Sequence, residues 1–220
     1  MIQDSNLLHY HKLHQRIAGK AIQDILDEVV RQSLAARMPL VPVRVACLLF
    51  TLAQVASPNR IVELGTGFGY STLLLALASA ESPIVTIEND AECGKVARSF
   101  FGKTGVSDRI SLVLGDAIPV LQTISGSFDF VFLDASKEEY LSYIQLLLPR
   151  LSKGATLVAD DVFFAGEMPG KHLPEPVKEK SINELEHFRR FLREKPYFLT
   201  SFLPIGCGVS VTLLTRHPEL

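Results

Sequence analysis

The stretch IVELGTGFGYS, residues 61–71, decides the fold of this 220-residue chain. An apolar run ends there in a glycine-rich turn, and the turn opens a helical segment over residues 71–80. The next apolar run ends on an acidic residue, Glu88. Glycines let the backbone approach a ligand closely, a helix N-terminus offers N–H groups to a negative group, and an acid at the next strand end accepts hydrogen bonds from a ribose. The pattern indicates a nucleoside-cofactor site.

The chain beyond this stretch alternates between short apolar runs and helical segments. This alternation predicts an α/β fold with a parallel sheet and helices on both faces. Two final strands, residues 197–203 and 209–214, are joined by so short a turn that they must form an antiparallel hairpin. The other predicted strands are residues 60–64, 84–88, 110–114, 128–133 and 155–159, and the predicted helices are 71–80, 91–101, 118–123, 138–151 and 178–194.

The N-terminal part of the chain is predicted to be helical. An apolar stripe over residues 13–34, including Ile17, Ile25 and Val29, predicts one helix, and a second begins after Pro42. We expect a single domain over residues 1–220, with 1–56 as a helical extension and 57–220 as the cofactor-binding and catalytic core. The extension packs against the sheet, or it covers the cofactor and helps to build a substrate pocket or a dimer contact. The two interpretations are compatible.

The composition excludes several classes of function. Hydrophobic residues make up 47% of the chain and charged residues 21%, with a net charge of −2, so neither nucleic acid nor a membrane surface is an expected partner. The three cysteines are too few and too far apart for a disulfide framework or a zinc site, which favours the cytoplasm. The start lacks the pattern of a signal peptide, and the longest apolar run, residues 45–56, is too short to span a bilayer.

Acidic side chains follow two further predicted strands. Asp134 comes after residues 128–133, and Asp160 and Asp161 come after residues 155–159. Ligands of an open α/β sheet bind beyond the carboxyl ends of its strands, so we expect the three acids to converge beside the cofactor. They would repel one another unless a cation neutralised them, and an all-oxygen set favours Mg²⁺, Ca²⁺ or Mn²⁺ over zinc. The alternative is that these acids only cap a helix and a loop.

Lys137 is the expected catalytic base. It follows Asp134 by three residues on the first turn of the next helix, so the two side chains face the same way. A cation nearby would lower the pKa of the lysine and suit it to accept a proton.

Taken together, these motifs resemble those of the cation-dependent O-methyltransferases, the family that includes catechol and caffeoyl-coenzyme A O-methyltransferases. The resemblance runs from about residue 60 to the C-terminus, with a weaker helical match before it. It implies the Rossmann-like class I methyltransferase fold, in which a seven-stranded, mostly parallel sheet ends in an antiparallel hairpin. It also implies S-adenosylmethionine as the cofactor, a divalent cation and a homodimer.

The resemblance implies a role for each motif. Ser71 and the nearby backbone hold the methionine carboxylate, Glu88 binds the ribose hydroxyls, and the turn 115–117 lies beside the adenine. Asp134 and Lys137 are catalytic, as metal ligand and general base, and Asp160 and Asp161 complete the metal site. The residues assigned to the cofactor are Glu63, Gly65, Gly67, Tyr70, Ser71, Glu88, Asp116, Ala117 and Asp134.

Two positions depart from the family pattern. Asp161 stands where Asn is usual, and the extra carboxylate should tighten cation binding while lowering Lewis acidity, or shift the preferred metal. Cys207 stands where the family has the Asp of a Gly-Asp-Gly turn near the substrate, which leaves the acceptor open. We interpret Cys207 as a plain buried residue rather than a reactive one.

The predicted reaction is O-methylation of a small aromatic vicinal diphenol. Three alternatives stay open: a metal-independent methyltransferase acting on another acceptor, a cofactor-binding protein without catalysis, and a nicotinamide-dependent oxidoreductase. The last is disfavoured because the third glycine of the turn, Gly69, comes one residue too early for a dinucleotide fingerprint.

Two further segments carry weaker predictions. His9, His11 and His14 could bind a metal, but we interpret them as solvated. The glycine- and proline-rich loop 164–176 is either a substrate lid or a passive connection, and Phe163 and Phe164 either shape an aromatic pocket or belong to the core.

Overall fold

The computed structural model describes residues 4–163, 167–168, 171–172 and 175–218. Three helices precede the first strand: α1 (Asp4–Ile17), α2 (Lys20–Ala35) and α3 (Val43–Ala56). The single helix predicted over residues 13–34 is therefore wrong, because the chain breaks at Gly19, whose backbone is extended. Glycine is a poor helix former because it loses much backbone freedom on folding. The helix therefore breaks at Gly19, although the apolar stripe continues on both sides of the break.

Strands and helices then alternate as predicted. The first part comprises β1 (Ile61–Leu64), α4 (Tyr70–Ala78), β2 (Ile84–Glu88), α5 (Ala91–Thr104), β3 (Ile110–Leu114), α6 (Ala117–Thr123), β4 (Phe128–Leu133), α7 (Tyr140–Leu147) and β5 (Leu151–Ala159). The second part comprises β6 (Glu167–Met168), β7 (Lys171–His172), α8 (Glu175–Glu194), β8 (Phe198–Leu203) and β9 (Val209–Leu214). The predicted helix over residues 138–151 is shorter, because its two ends, Lys137–Glu139 and Leu148–Arg150, form 3₁₀ turns.

The main sheet has seven strands in the order β3-β2-β1-β4-β5-β9-β8. The first five strands are parallel, and β9 pairs antiparallel with both β5 and β8. This confirms the predicted α/β sheet with its terminal hairpin. Leu64 is in register with Leu133, and Leu133 with Ala159, so β1, β4 and β5 end at the same level. The residues that follow these three strands are consequently neighbours.

Hydrophobic side chains cover both faces of the sheet. One face packs against α1 to α5, with buried residues that include Leu26, Leu49 and Leu73. The other packs against α6 to α8, where Leu121, Ile144 and Phe188 are buried. The N-terminal helices thus share the face that carries α4, as one of the two interpretations of the extension predicted. Over the described ranges, no helix combines the length and the apolar character needed to cross a membrane.

Candidate active site

The two predicted constellations meet at the carboxyl edge of the sheet. The amide of Asp134 donates to the Leu64 carbonyl at 2.9 Å, and the amide of Asp160 donates to the Leu133 carbonyl at 3.0 Å. Each bond links the residue after one strand to the last residue of its neighbour. The parallel register therefore brings the glycine turn and the acids together, although about 70 to 95 residues separate them along the chain.

The glycine turn requires glycine at its first position. Gly65 has a φ of +94°, and a Cβ there would lie 2.1 Å from the Asp134 carbonyl oxygen. Gly67 also has positive φ, +54°, but open space around it. The Gly67 amide donates to Glu88 Oε2 at 2.7 Å, which ties the turn to the end of β2. The chain then enters α4 at Tyr70 and Ser71, and both side chains are buried.

Glu63 lies beneath this turn, fully buried in the middle of β1. Its Oε2 accepts hydrogen bonds from the hydroxyls of Thr72 and Thr86, the second at 2.6 Å. Among the described residues no group donates to its Oε1. Burial raises the pKa of Glu63 to about 7, against the hydrogen bonds from the two threonines. A buried acceptor without a partner is rare in folded proteins, and a proton on this carboxyl, which the raised pKa favours, lowers the cost of burying it.

Replacing Glu63 with glutamine should change how stability depends on pH. Between pH 4.5 and about 7 the folded chain holds this proton and the unfolded chain does not, so the contribution of Glu63 falls as pH rises through that window. A shift of this size corresponds to about 3 kcal/mol. We expect Glu63→Gln to gain about that much relative to the wild type between pH 5 and pH 8 in urea unfolding. A gain no larger than that of the exposed control Glu92→Gln would contradict the shift.

The remaining residues assigned to the cofactor lie at the ends of β2 and β3. Glu88 Oε1 accepts from the Asp90 amide at 2.9 Å, while its Oε2 holds Gly67. The Gly115 amide donates to the Glu88 carbonyl at 2.9 Å, which places Asp116 and Ala117 beside this acid. Glu88, Asp116 and Ala117 thus lie at the same edge of the sheet as the glycine turn.

Lys137 lies among the acids, and its side chain is nearly fully buried. Its Nζ is 2.8 Å from Asp134 Oδ1 and 3.2 Å from Asp161 Oδ2. The same nitrogen donates to the Tyr140 hydroxyl at 3.0 Å. That hydroxyl is within 3.2 Å of the carbonyls of both Leu133 and Asp160. Tyr140 therefore links the ends of β4 and β5 and fixes the lysine; it was not predicted, although its position three residues after Lys137 was a usable signal.

The predicted lowering of the Lys137 pKa depends on a cation beside the lysine and stays a prediction; the protein's own groups shift this pKa in the opposite direction. Burial lowers this pKa, but the charges around the ammonium, chiefly that of Asp134, outweigh it and hold the pKa well above its ordinary value. Burial also raises the pKa of Asp160 to about 8, with further increases from the charges of Asp134 and Asp161. The lysine is thus an ammonium, and one of the three carboxyls tends to keep its proton.

The negative charge of this Asp and Lys cluster suits a bound cation, but the present positions of its side chains do not form a metal site. Three carboxyls face one ammonium, so negative charge is in excess. Yet Lys137 Nζ stands between Asp134 and Asp161, and within the described part of the chain no group of three or more His, Cys, Asp or Glu side chains is placed to hold a metal ion. A cation could therefore bind only after Lys137 or the carboxylates shift. Asp161 has a φ of +56°, a conformation that Asp shares with the Asn usual in the family.

The turn between β8 and β9 lies beside the acids. Cys207 is exposed, so its interpretation as a buried residue is wrong. Partial burial raises the pKa of its thiol, and the charges of Asp161 and Asp160 raise it further. Phe163 covers the same turn: a Cβ on Gly208 would lie 2.2 Å from its ring, which is 46% exposed. Phe164 and most of the loop predicted over 164–176 lie outside the described residues.

The interpretation of the N-terminal histidines as solvated is wrong for His14. This side chain is fully buried, with its Nδ1 2.5 Å from Asp27 Oδ1 and its Nε2 3.0 Å from the Tyr70 hydroxyl. His14 shares its helix with the buried Tyr10 and Leu13, and that apolar stripe was the signal that its ring faces inward.

The sheet order, with a glycine turn after β1 and acids after β4 and β5, defines a Rossmann-like class I methyltransferase. Within that class the chain belongs to the O-methyltransferase family, whose model matches residues 17–216. This membership confirms the predicted resemblance and the prediction of a methyltransferase. It also removes the nicotinamide-dependent oxidoreductase as an alternative.

Several known proteins resemble the chain. A catechol O-methyltransferase of Mycobacterium tuberculosis is 37% identical over 145 residues, which cover 64% of this chain and 66% of that protein. A caffeoyl-CoA O-methyltransferase of Stellaria longipes is 26% identical over 225 residues, covering 95% and 92%. The crystal structure of an O-methyltransferase from Bacillus cereus in complex with SAH has a TM-score of 0.75 at 25% identity, covering 87% of this chain and 90% of that one.

Proposed function

We propose that this chain transfers a methyl group from S-adenosylmethionine to one hydroxyl of a small aromatic vicinal diphenol, with assistance from a divalent cation. The observation that carries the proposal is the cluster next to the glycine turn, in which the buried Lys137 and Asp160 lie beside the partly exposed Asp134 and Asp161. The catechol O-methyltransferase among the relatives supports the choice of acceptor. The complex of the Bacillus cereus relative with SAH supports the choice of cofactor.

The cofactor would bind along the edge that runs from β3 to β4. The turn at Gly65 and Gly67 would let the backbone approach the cofactor closely, and Glu63 would support that turn from beneath. The start of α4 at Tyr70 and Ser71 offers N–H groups to a carboxylate. Glu88 would accept from the ribose. Asp116, Ala117 and Asp134 would flank the remaining parts of the cofactor.

Transfer forms a bond from the acceptor oxygen to the methyl carbon and breaks the sulfur–methyl bond, which leaves S-adenosylhomocysteine. A phenol is mostly protonated at neutral pH, so the site must favour the phenolate. A cation held beside Lys137 would lower the pKa of the lysine, and its neutral nitrogen would then take the phenol proton and, as an ammonium, donate a hydrogen bond to the phenolate oxygen. Asp134, Asp160 and Asp161 would hold the cation, which supplies positive charge that stabilises the phenolate. Holding both partners in line contributes about 7–11 kcal/mol in favourable cases.

A second candidate is a methyltransferase that needs no metal. The ion pairs of Lys137 with Asp134 and Asp161 favour it, because the ammonium already occupies the space between those carboxylates. In that case the lysine alone would stabilise the phenolate.

Metal binding separates the two candidates without a guess about the acceptor. We expect Mg²⁺ or Mn²⁺ to bind stoichiometrically to the wild type in calorimetry with S-adenosylhomocysteine present. Asp134→Ala should lose this binding, because it removes a carboxylate from the cluster, and the exposed control Asp108→Ala should keep it. If the wild type binds no metal, the aspartates are structural and the metal-independent enzyme is the better conclusion.

Other features of the proposal stay predictions. We expect a homodimer, which sedimentation can test, and a cytoplasmic location, with no nucleic acid or membrane as a partner. The division of a single domain at residue 57 also stays a prediction.

A further inference from the structure

A chain of polar contacts joins the N-terminal helices to the glycine turn. It consists of His11 and His14 on α1, Asp27 on α2 and Tyr70 at the start of α4. Both oxygens of Asp27 are 2.5 Å from an imidazole Nδ1, one of His11 and one of His14. His14 Nε2 is 3.0 Å from the Tyr70 hydroxyl. We call these four residues the His14 relay, and the proposed reaction uses no part of it except Tyr70.

The hydrogen-bonding groups of the His14 relay determine which of its atoms carry a proton. A carboxylate only accepts hydrogen bonds, so the short contact to Asp27 places a proton on His14 Nδ1. Burial lowers the pKa of His14, against the effect of Asp27, so its ring stays neutral. Nε2 is then an acceptor. Burial raises the pKa of Tyr70 well above its ordinary value, so its hydroxyl keeps the proton and donates it to Nε2.

An aromatic contact with Tyr10 also holds the side chain of Tyr70 in place. The rings of Tyr10 and Tyr70 meet edge to face, with centroids 5.7 Å apart and an interplanar angle of 80°. The Tyr10 hydroxyl in turn donates to the Val41 carbonyl at 2.8 Å, in the segment between α2 and α3. The side chain of Tyr70 therefore packs against the N-terminal helices, and its backbone begins the helix that follows the glycine turn.

We propose that His14 is a positioning residue for the cofactor site: by accepting the Tyr70 hydroxyl it fixes the start of α4, so that the N-terminal helices set the affinity for the methyl donor. This inference rests on the proposed binding of the cofactor at the glycine turn. The helices would then act in cofactor binding through a contact that lies outside the catalytic cluster.

Tyr70→Phe tests the inference with the smallest change, since it removes one oxygen. A single hydrogen bond contributes about 0.5–1.5 kcal/mol, so we expect S-adenosylhomocysteine to bind about 3–10-fold more weakly. His14→Leu should give a similar loss, and the double variant should lose no more than the larger single loss, because both changes remove one contact. His14→Gln should recover part of the affinity, since an amide can accept from Tyr70 and donate to Asp27. His187→Leu, on the exposed face of α8, is the control and should bind as the wild type does.

The outcomes distinguish three cases. In turnover assays the loss should appear in KM for the methyl donor more than in kcat, which destabilisation alone would not produce. Variants that melt at lower temperature but bind S-adenosylhomocysteine with wild-type affinity would overturn the inference and leave the relay purely structural. If the wild type itself does not bind S-adenosylhomocysteine, the proposed function fails instead. Should His14→Leu not fold, Tyr70→Phe alone decides.

Discussion

Lys137→Met is expected to lower kcat by about 10²–10⁴-fold, the range for loss of a general acid–base group. The substitution removes the nitrogen that contacts Asp134, Asp161 and the Tyr140 hydroxyl, and with it the positive charge that favours a phenolate. Cofactor affinity should change less, because the ion pairs of Lys137 are with Asp134 and Asp161, and of these only Asp134 is assigned to the cofactor. Steady-state kinetics with a vicinal diphenol, together with calorimetry for S-adenosylhomocysteine, measures both quantities.

The matched control for this variant is Lys95→Met. Lys95 lies on α5 with its side chain 79% exposed, and its ion pair with Glu92 is a weak surface contact. We expect its kcat to equal that of the wild type. A Lys137→Met variant that folds and turns over at near-normal rate would exclude the lysine from the reaction.

Gly65→Ala is expected to destabilise the chain by about 4 kcal/mol or more and to abolish cofactor binding. The new Cβ would lie 2.1 Å from the Asp134 carbonyl oxygen, a backbone atom that cannot rotate away. Either the turn or the end of β4 must move, and the Asp134 amide bond to the Leu64 carbonyl holds those two segments together. Damage of this kind belongs to the small class of substitutions with very large effects. Urea unfolding without ligand gives the stability, and calorimetry gives the binding.

Gly67→Ala separates crowding from backbone strain. Gly67 belongs to the same turn and also has positive φ, but a Cβ there meets nothing within 4 Å. The expected cost is the left-handed conformation alone, about 1–2 kcal/mol. If both variants lost the same stability, the contact of Gly65 with Asp134 would not be the reason why glycine is needed.

The central strands and the glycine turn were predictable because their signals are local. β2, β3, β4 and β9 have the predicted bounds. For β2 and β4 the reason is that an apolar run buried on both faces differs from its surroundings in composition alone. The break at Gly19 was missed because the hydrophobic period continues across it. The bounds of the helix after Asp134 were missed because 3₁₀ turns at helix ends leave little trace in sequence.

The features of the candidate site also separate into those that the sequence determined and those that only the tertiary structure decided. Sequence alone determined which residue types stand after each strand, and through the motifs it identified the family, now confirmed by the match over residues 17–216. Only the tertiary structure decided the electrostatics, because a pKa depends on burial and on charges from distant segments. It placed the Lys137 ammonium between two carboxylates and left Glu63 Oε1 without a donor among the described residues. It also buried His14 against Tyr70, 56 residues away, a contact that arises only when α1 packs against the other N-terminal helices and the start of α4.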